Sequence, residues 1–305
     1  MRGLTNVGGG GGGGQYVWAK YTKTTSVINF IEYVMSKDST KYPDDGYQGN
    51  YYYVLVDYPQ PDVEIVSWAN GTDAQIVTMV EAASAGKIAL SDYWSVGDER
   101  TVALSSMAAT GVGESHAAQN VTMILMNAGG KTLSNGDACQ FIVGQKQLLN
   151  YAASSLEDGY MNSSNTNTGG WSSSARRTWC NNIYYNAIPS TLQPIFKQFT
   201  NTTGVGGGAT SGLQTTTDYF ALPAEKEIFG TNTYSQSDEA AALTQFTYYA
   251  TSSNRIKYYS SGGGHPWWER SPYSGSNVFC IVNSDGSAGY TSASNTYGFA
   301  PFGCI

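Results

Sequence analysis

GHPWWERSPYSGSNVFCIVNSDGSAGYTSASNTYGFAPFGCI, residues 264–305, decides how this chain is read. Bulky and glycine positions that set a backbone alternate here with small, polar or tyrosine positions that do not. The first set is Trp267, Trp268, Arg270, Pro272, Phe279, Gly286, Gly298, Pro301 and Phe302. Residues 277–282 read as a strand, 283–286 (NSDG) carry turn chemistry, and 287–291 return as a paired strand. Residues 297–305 are expected to close the same sheet. Each tryptophan can bury roughly 150–250 Å2, enough to pin a long loop against a core. Exposed positions on such a frame can change at a cost of about 0.5 kcal/mol each. The division points to recognition rather than catalysis.

Composition agrees. The 305 residues hold 36 glycines and 23 tyrosines but only 13% charged residues, about half the usual share. Tyr, Ser, Gly and Asn serve well at contact surfaces, and a 41% hydrophobic content allows a real core. The net charge of −7 and the absence of a Lys/Arg stripe leave no footprint for a phosphate backbone, so no nucleic-acid partner is expected. No apolar run reaches the roughly 18 residues of a membrane span, so no membrane insertion is expected. Nothing near Met1 resembles a signal peptide. An exterior location would then be reached as part of a particle or by lysis. Cys139, Cys180, Cys280 and Cys304 form no CxxC pair and read as buried free thiols; a Cys280–Cys304 bond is left open by their shared module.

Along the chain, residues 1–14 form a flexible leader whose Gly8–Gly14 run cannot repay its backbone entropy by packing. Residues 15–66 read as a small β-rich module of two or three strands, with YVWAKY (16–21) and NYYYVLV (50–56) as strands and KYPDDGYQG (41–49) as turn. The main domain, 67–305, opens with a helix. Thr72 is its N-cap, Gln75 completes a capping box, and Gly86 stops it. RTVAL (100–104), NVTMILM (120–126) and ACQFIV (138–143) read as strands; 172–186, 190–199, 223–229 and 238–246 read as helices; 162–170 and 201–212 read as polar flexible loops. Strands and helices mix without a βαβ rhythm, so the class is α+β.

Residues able to carry chemistry are few. His116 reads as a loop or surface residue, and no GxSxG elbow supports a triad through it. A thiol–imidazole pair such as Cys280 with His265 is left open. The carboxylate pairs Asp44/Asp45, Asp98/Glu99 and Glu225/Glu227 read as solvated or capping. Glu269 and Arg270, after two tryptophans, read as a buttress in which the guanidinium bonds carbonyls or a carboxylate.

WWERSP, FCIVNSDG and YGFAPFGCI, with YWSVGDERT (93–101), RTWCNNIYYNAIP (177–189) and DYFALPAEKEIFG (218–230), resemble the C-type-lectin-like domains of phage and prophage proteins of gut bacteria. The resemblance spans about residues 88–305. Such domains are similar to the variable proteins of diversity-generating retroelements and to the formylglycine-generating-enzyme type of the fold. The resemblance implies a C-type-lectin-like domain whose display surface, 264–305, keeps its frame while exposed side chains vary. The implied ligand-contacting positions are His265, Tyr273, Ser276, Asn277, Val278, Ile281, Asn283, Asp285, Tyr290, Thr291, Asn295 and Tyr297. The EPN, QPD and WND signatures of calcium-dependent lectins are absent, so no metal or cofactor is expected, and no close cysteine pair suggests oxidase chemistry.

The implied function is that of a phage receptor-binding protein at a tail tip or fibre, in the virion or at the host-cell exterior. Its partners would be a bacterial surface protein or glycan and other tail proteins. A homotrimer would raise weak contacts by avidity, although no heptads support one. A bacterial surface adhesin of the same fold, or a formylglycine-type enzyme, are the competing readings.

Overall fold

The alternation in YVWAKY becomes strand β1 (Tyr16–Lys23), and β2 (Ile28–Val34), β3 (Gly46–Gln48) and β4 (Tyr51–Asp57) follow. They form one antiparallel sheet in the order β2-β1-β4-β3. Four strands replace the expected two or three, because INFIEYV has the aromatic and β-branched content of a strand. This computed structural model describes residues 16–23, 28–34, 46–48, 51–57, 63–149, 159–259 and 262–305. The glycine run and Asp44/Asp45 lie outside them. The chain divides into two units, Met1–Asp62 and Val63–Ile305, and Val63 and Val66 pack on the core of the second.

The second unit opens as its capping signal requires. In α1 (Asp73–Ser84) the Gln75 N–H donates to Thr72 Oγ1 at 3.3 Å, and the Thr72 N–H donates to Gln75 Oε1 at 2.8 Å. Ile76, Met79, Val80 and Ala83 are buried, and Gly86 turns the chain away at φ 70°. Then come β5 (Glu99–Leu104), β6 (Gln119–Ala128), β7 (Phe141–Gln145), α2 (Ala175–Trp179) and α3 (Tyr185–Ala187), the last two joined by a π-helical turn, Cys180–Tyr184. They are followed by β8 (Phe199–Gly204), β9 (Leu213–Asp218), β10 (Phe220–Ala221), α4 (Glu225–Phe229) and α5 (Ser237–Ala242). The strands β11 (Trp267–Pro272), β12 (Val278–Val282), β13 (Ala288–Ser292) and β14 (Phe302–Cys304) end the unit.

Three sheets result: β10-β14-β7-β6-β5, β11-β12-β13 and the hairpin β8-β9. All the pairings between these strands are antiparallel. With its helices the fold is mixed α+β. One core cluster joins them, with Trp68, Trp94, Trp171, Trp179, Trp267 and Trp268 fully buried.

Several expectations need correction. Residues 190–199 are not a helix: Pro194 lacks a donor, only a short 3-10 turn forms at Gln193–Ile195, and β8 begins at Phe199. Residues 201–212 are not all loop, because the threonine-rich stretches on either side of 205–212 pair as β8 and β9; branched Cβ atoms favour that pleat. The segment 297–305 does not close the terminal sheet. Its strand β14 lies between β10 and β7 in the five-stranded sheet, while Gly298 bridges Trp267. The expected helix 238–246 ends at Ala242. Helix 172–186 forms from Ala175 to Ala187 with the π turn inside it.

Candidate functional site

In the sheet β11-β12-β13, every residue of β11 is buried, while β13 is an edge whose residues are half-buried or exposed. The pairs Trp267↔Val282, Trp268↔Ile281 and Cys280↔Tyr290 fix the register. The two tryptophans are anchored at their polar ends as well as by area. Trp267 Nε1 donates to the Arg255 carbonyl and Trp268 Nε1 to the Gly159 carbonyl, each at 2.9 Å. Pro272, Phe279, Gly286, Gly298, Pro301 and Phe302 are buried too, so the frame positions lie where the sequence puts them. Gly286 sits at φ 83° in the β12–β13 turn. A Cβ at Gly298 would come within 2.5 Å of Leu148 Cδ1.

Arg270 is fully buried and grips both oxygens of Glu227, with its Nη1 also donating to the Leu222 carbonyl at 2.9 Å. Lys131 donates to the same carboxylate and to Asn201 Oδ1 at 3.2 Å. Burial alone would raise the Glu227 pKa, but Arg270 and Lys131 outweigh it and hold it down to about 2. The buttress reading of Arg270 is correct. The reading of Glu225/Glu227 as a solvated pair is not, since both are buried. Glu227 does cap α4, accepting from the Ala224 N–H at 2.9 Å. Glu225 accepts the backbone N–H groups of Thr233 at 3.0 Å, Tyr234 at 3.0 Å and Ser235 at 2.8 Å. That fixes the loop after α4 and aims Tyr234.

Tyr234 completes the most distinctive exposed group. Tyr290, 48% exposed, stacks on Tyr273 with centroids 4.5 Å apart and planes at 15°. Tyr234 meets Tyr290 edge-on at 4.9 Å and Tyr273 at 6.0 Å. Behind this trio lies Asn167, fully buried. Its Nδ2 donates to the carbonyls of Tyr273, Gly275 and Val278 at 3.1, 2.7 and 2.6 Å, and its Oδ1 accepts from the Gly207 N–H at 2.8 Å. One side chain thus ties three loops beneath the tyrosines.

The other expected contact positions divide. Ser276, Asp285 and Asn295 are exposed, and Asn277, Val278 and Thr291 are half-buried. Asn295 Nδ2 donates to Thr291 Oγ1 at 2.6 Å. Asp285 accepts from the Ser287 hydroxyl at 2.6 Å and its N–H at 2.9 Å, which lowers its pKa, and Asn283 Nδ2 donates to the Ala288 carbonyl at 3.1 Å. Both hold the β12–β13 turn. Tyr297 is half-buried, edge-on to Trp268 at 5.4 Å, and His265 is half-buried against Tyr259 at 4.7 Å. Ile281 is corrected outright: at 4% exposure it belongs to the core, opposite Trp268 on a strand covered on both faces from Phe279 to Val282.

His116 is likewise not a surface residue. It is buried among Trp179 at 5.9 Å and Phe299 at 5.5 Å. All four cysteines are free and buried. Burial, followed by the carboxyls of Glu269, Glu225 and Glu239, pushes the Cys280 thiol well above its usual range, which opposes a thiolate nucleophile. Glu269 is fully buried, and among the described residues neither of its oxygens has a hydrogen-bond partner. Burial and the charges of Glu225 and Glu239 push its carboxyl well above the usual range, so it is held as the neutral acid. Asp98 caps a turn at the Ser95 N–H and Glu99 pairs with Lys146 at 2.6 Å, as expected of an exposed pair. No group of three or more His, Cys, Asp or Glu among the described residues could hold a metal ion. No helix among them is long and apolar enough to cross a membrane.

Residues 143–305 match DUF6273, a domain of unknown function, over more than half of the chain. The chain belongs to the DUF6273 family. The match enters at the third residue of β7, so β5 and β6 of the same sheet precede the family's region, whereas every element of the tyrosine surface falls inside it. No curated protein and no solved structure matches the chain.

Sequence reasoning missed Tyr234 and Asn167. Tyr234 lies outside the terminal segment and is brought in by Glu225, whose role needs a fold to be seen. Asn167 stands in NSSNTNTGG, where nothing separates it from its neighbours.

Proposed function

We propose that this DUF6273 protein is a recognition protein whose contact surface is centred on Tyr234, Tyr273 and Tyr290. It would act as a phage or prophage receptor-binding protein with a C-type-lectin-like second unit. Its ligand would be a bacterial surface protein or glycan, and its setting the virion tail or the host-cell exterior, beside other tail proteins. The observation that carries the reading is an aromatic trio, with Tyr290 exposed and Tyr234 and Tyr273 half-buried, on a fully buried frame. Tyrosines offer large, amphipathic contact area at low entropic cost, and the edge strand beneath them tolerates exchange. The Cys280 thiol and the ion-paired Glu227 are both buried, which supports a contact surface made by the outer side chains. Diversification by a retroelement would act on the exposed and half-buried positions, with Ile281 excluded.

The test is Tyr290→Ala. Loss of a half-exposed stacked ring should cost about 0.5–1.5 kcal/mol of stability, lowering Tm by no more than about 1–6 °C, while binding to host cells falls severalfold. Unchanged binding in Tyr290→Ala and Tyr234→Ala together would sink the surface. A template repeat and reverse transcriptase gene beside the coding sequence would support diversification, and tail genes nearby would favour a virion over an adhesin.

A further inference from the structure

Away from the tyrosine trio, the second unit carries a groove built from α1, the β7-side turn 133–137, the π turn and the start of β10. Two clefts, of about 680 and 230 Å3, meet there and share Gln198 and Tyr219. Tyr185 and Tyr219 stack within it, centroids 4.2 Å apart and planes at 16°. Both are half-buried, so their bodies are fixed while part of each remains accessible.

Local structure presents this pair. The π turn Cys180–Tyr184 inserts an extra residue ahead of Tyr185, and Tyr184 turns into the core, donating to Gln145 Oε1 at 2.9 Å. Such turns are concentrated at functional sites. Tyr219 is set from the other side: its N–H donates to Asn181 Oδ1 at 2.6 Å, and Asn181 Nδ2 donates to the Phe220 carbonyl at 3.1 Å. Among the described residues, the Tyr185 and Tyr219 hydroxyls and the amides of Gln198 and Asn182 have no hydrogen-bond partner. Gln198 and Asn182 are both exposed.

Charge narrows the ligand. Glu81, Asp137 and Lys197 line the larger cleft, where Lys197 Nζ donates to the Pro194 carbonyl at 2.6 Å, and Arg177 in the smaller one is occupied by Asp218 at 2.6 Å. Each cation lining the two clefts thus already has a partner, and acids outnumber Lys197 in the larger cleft, which disfavours an anion. What remains is two phenols, the primary amides of Gln198 and Asn182 and the hydroxyls of Ser134, Thr178 and Thr217, groups that both donate and accept, around an aromatic pair that can pack against apolar C–H faces. That donor–acceptor mixture fits vicinal hydroxyls on a ring. We propose that the Tyr185–Tyr219 groove binds a neutral oligosaccharide, at a site separate from the Tyr234–Tyr273–Tyr290 surface. Its combined size lies in the range of small-molecule clefts.

The test uses the full chain with maltotriose, cellotriose, chitotriose and mannotriose as probes, by saturation-transfer difference NMR and a tyrosine-fluorescence titration at millimolar sugar. At least one trisaccharide should show transfer. Tyr219→Ala should weaken it about tenfold, as removal of one aromatic contact implies, and Gln198→Ala severalfold. Tyr290→Ala should leave it unchanged. Gln198 is exposed, so its variant keeps the test decisive even if Tyr219→Ala unfolds. No transfer to any of the sugars overturns the proposal. So does transfer that survives Gln198→Ala and Tyr219→Ala, transfer lost in Tyr290→Ala instead, or an equal response to a neutral tripeptide such as trialanine.

Discussion

Replacing Asn167 by alanine should loosen the loops beneath the tyrosine surface by an amount its hydrogen bonds set. The Nδ2 group has two hydrogens for three carbonyl oxygens, and Oδ1 receives a third hydrogen bond from Gly207. The Val278 carbonyl keeps the Tyr273 N–H at 3.1 Å, so the carbonyls of Tyr273 and Gly275 and the Gly207 N–H carry the loss. At about 1 kcal/mol net per bond, three bonds give about 3 kcal/mol, and more if the abandoned carbonyls stay dry. For a unit of this size each kcal/mol moves Tm by about 2–4 °C, so a drop of about 6–12 °C is expected by calorimetry. Asn167→Asp should cost at least as much, because it keeps the acceptor for Gly207 but turns an oxygen toward three carbonyls. Asn135→Ala, in an exposed turn, should stay within about 0.5 kcal/mol. A fall of less than about 3 °C for Asn167→Ala, with unchanged hydrogen exchange at Gly207, would refute the reasoning.

Three further outcomes follow from the buried charges. Glu227→Gln leaves Arg270 and Lys131 without their carboxylate and should cost about 3–5 kcal/mol at neutral pH by urea melts. Because the folded pKa is lowered from 4.5 to about 2, the wild-type advantage is present above 4.5 and lost as pH falls toward 2; a cost independent of pH there would contradict it. Glu269 has the opposite sign: its raised folded pKa gives stability that is full below its ordinary 4.5 and lost as pH rises. Glu269→Gln should therefore gain on the wild type progressively between about pH 5 and 8, and a variant less stable at the upper end would show that the buried acid is needed. Lys257, buried and donating to the carbonyls of Gln145 and Lys146 at 3.0 and 2.9 Å, is lowered by burial and then by Lys146 to about 7 from 10.5. The unfolded chain holds the proton that the folded chain releases, so stability should rise with pH across that window, and Lys257→Met should flatten the rise in thermal melts.

What could be read in advance follows the range of the interactions. The α1 capping box, the strands around Val102 and Leu125, and the frame of Trp267, Trp268 and Phe279 were legible, because local hydrogen bonding and side-chain alternation set them. Ile281 was misassigned because the reading expected one exposed face on this strand, whereas both faces of β12 are covered from Phe279 to Val282. The pairing of β14 with β7 rather than β12 could not be read, since Phe302 and Phe279 sit in equally apolar contexts and only the tertiary arrangement chooses between them. The acids at 225 and 227 looked like solvated or capping carboxylates; Glu227 is buried by Arg270 and Lys131, far off in sequence, and Glu225 by the amides of the loop that follows α4. Tyr234 and Asn167 were hidden for the same reason, each being recruited by partners 9 to 111 residues away.

The position of β14 has a consequence for how such a surface can evolve. Because this strand sits between β10 and β7, the five-stranded sheet cannot be completed until the segment that follows the tyrosine display has been made. Substitutions at Tyr273, Ser276 or Tyr290 leave that strand intact and reach the surface for selection. A slipped reading frame or early stop among the same codons removes Phe302–Cys304, which leaves β10 without its partner in the sheet and β7 open on one side. If the stretch is diversified as proposed, a library written into it would be edited by folding itself.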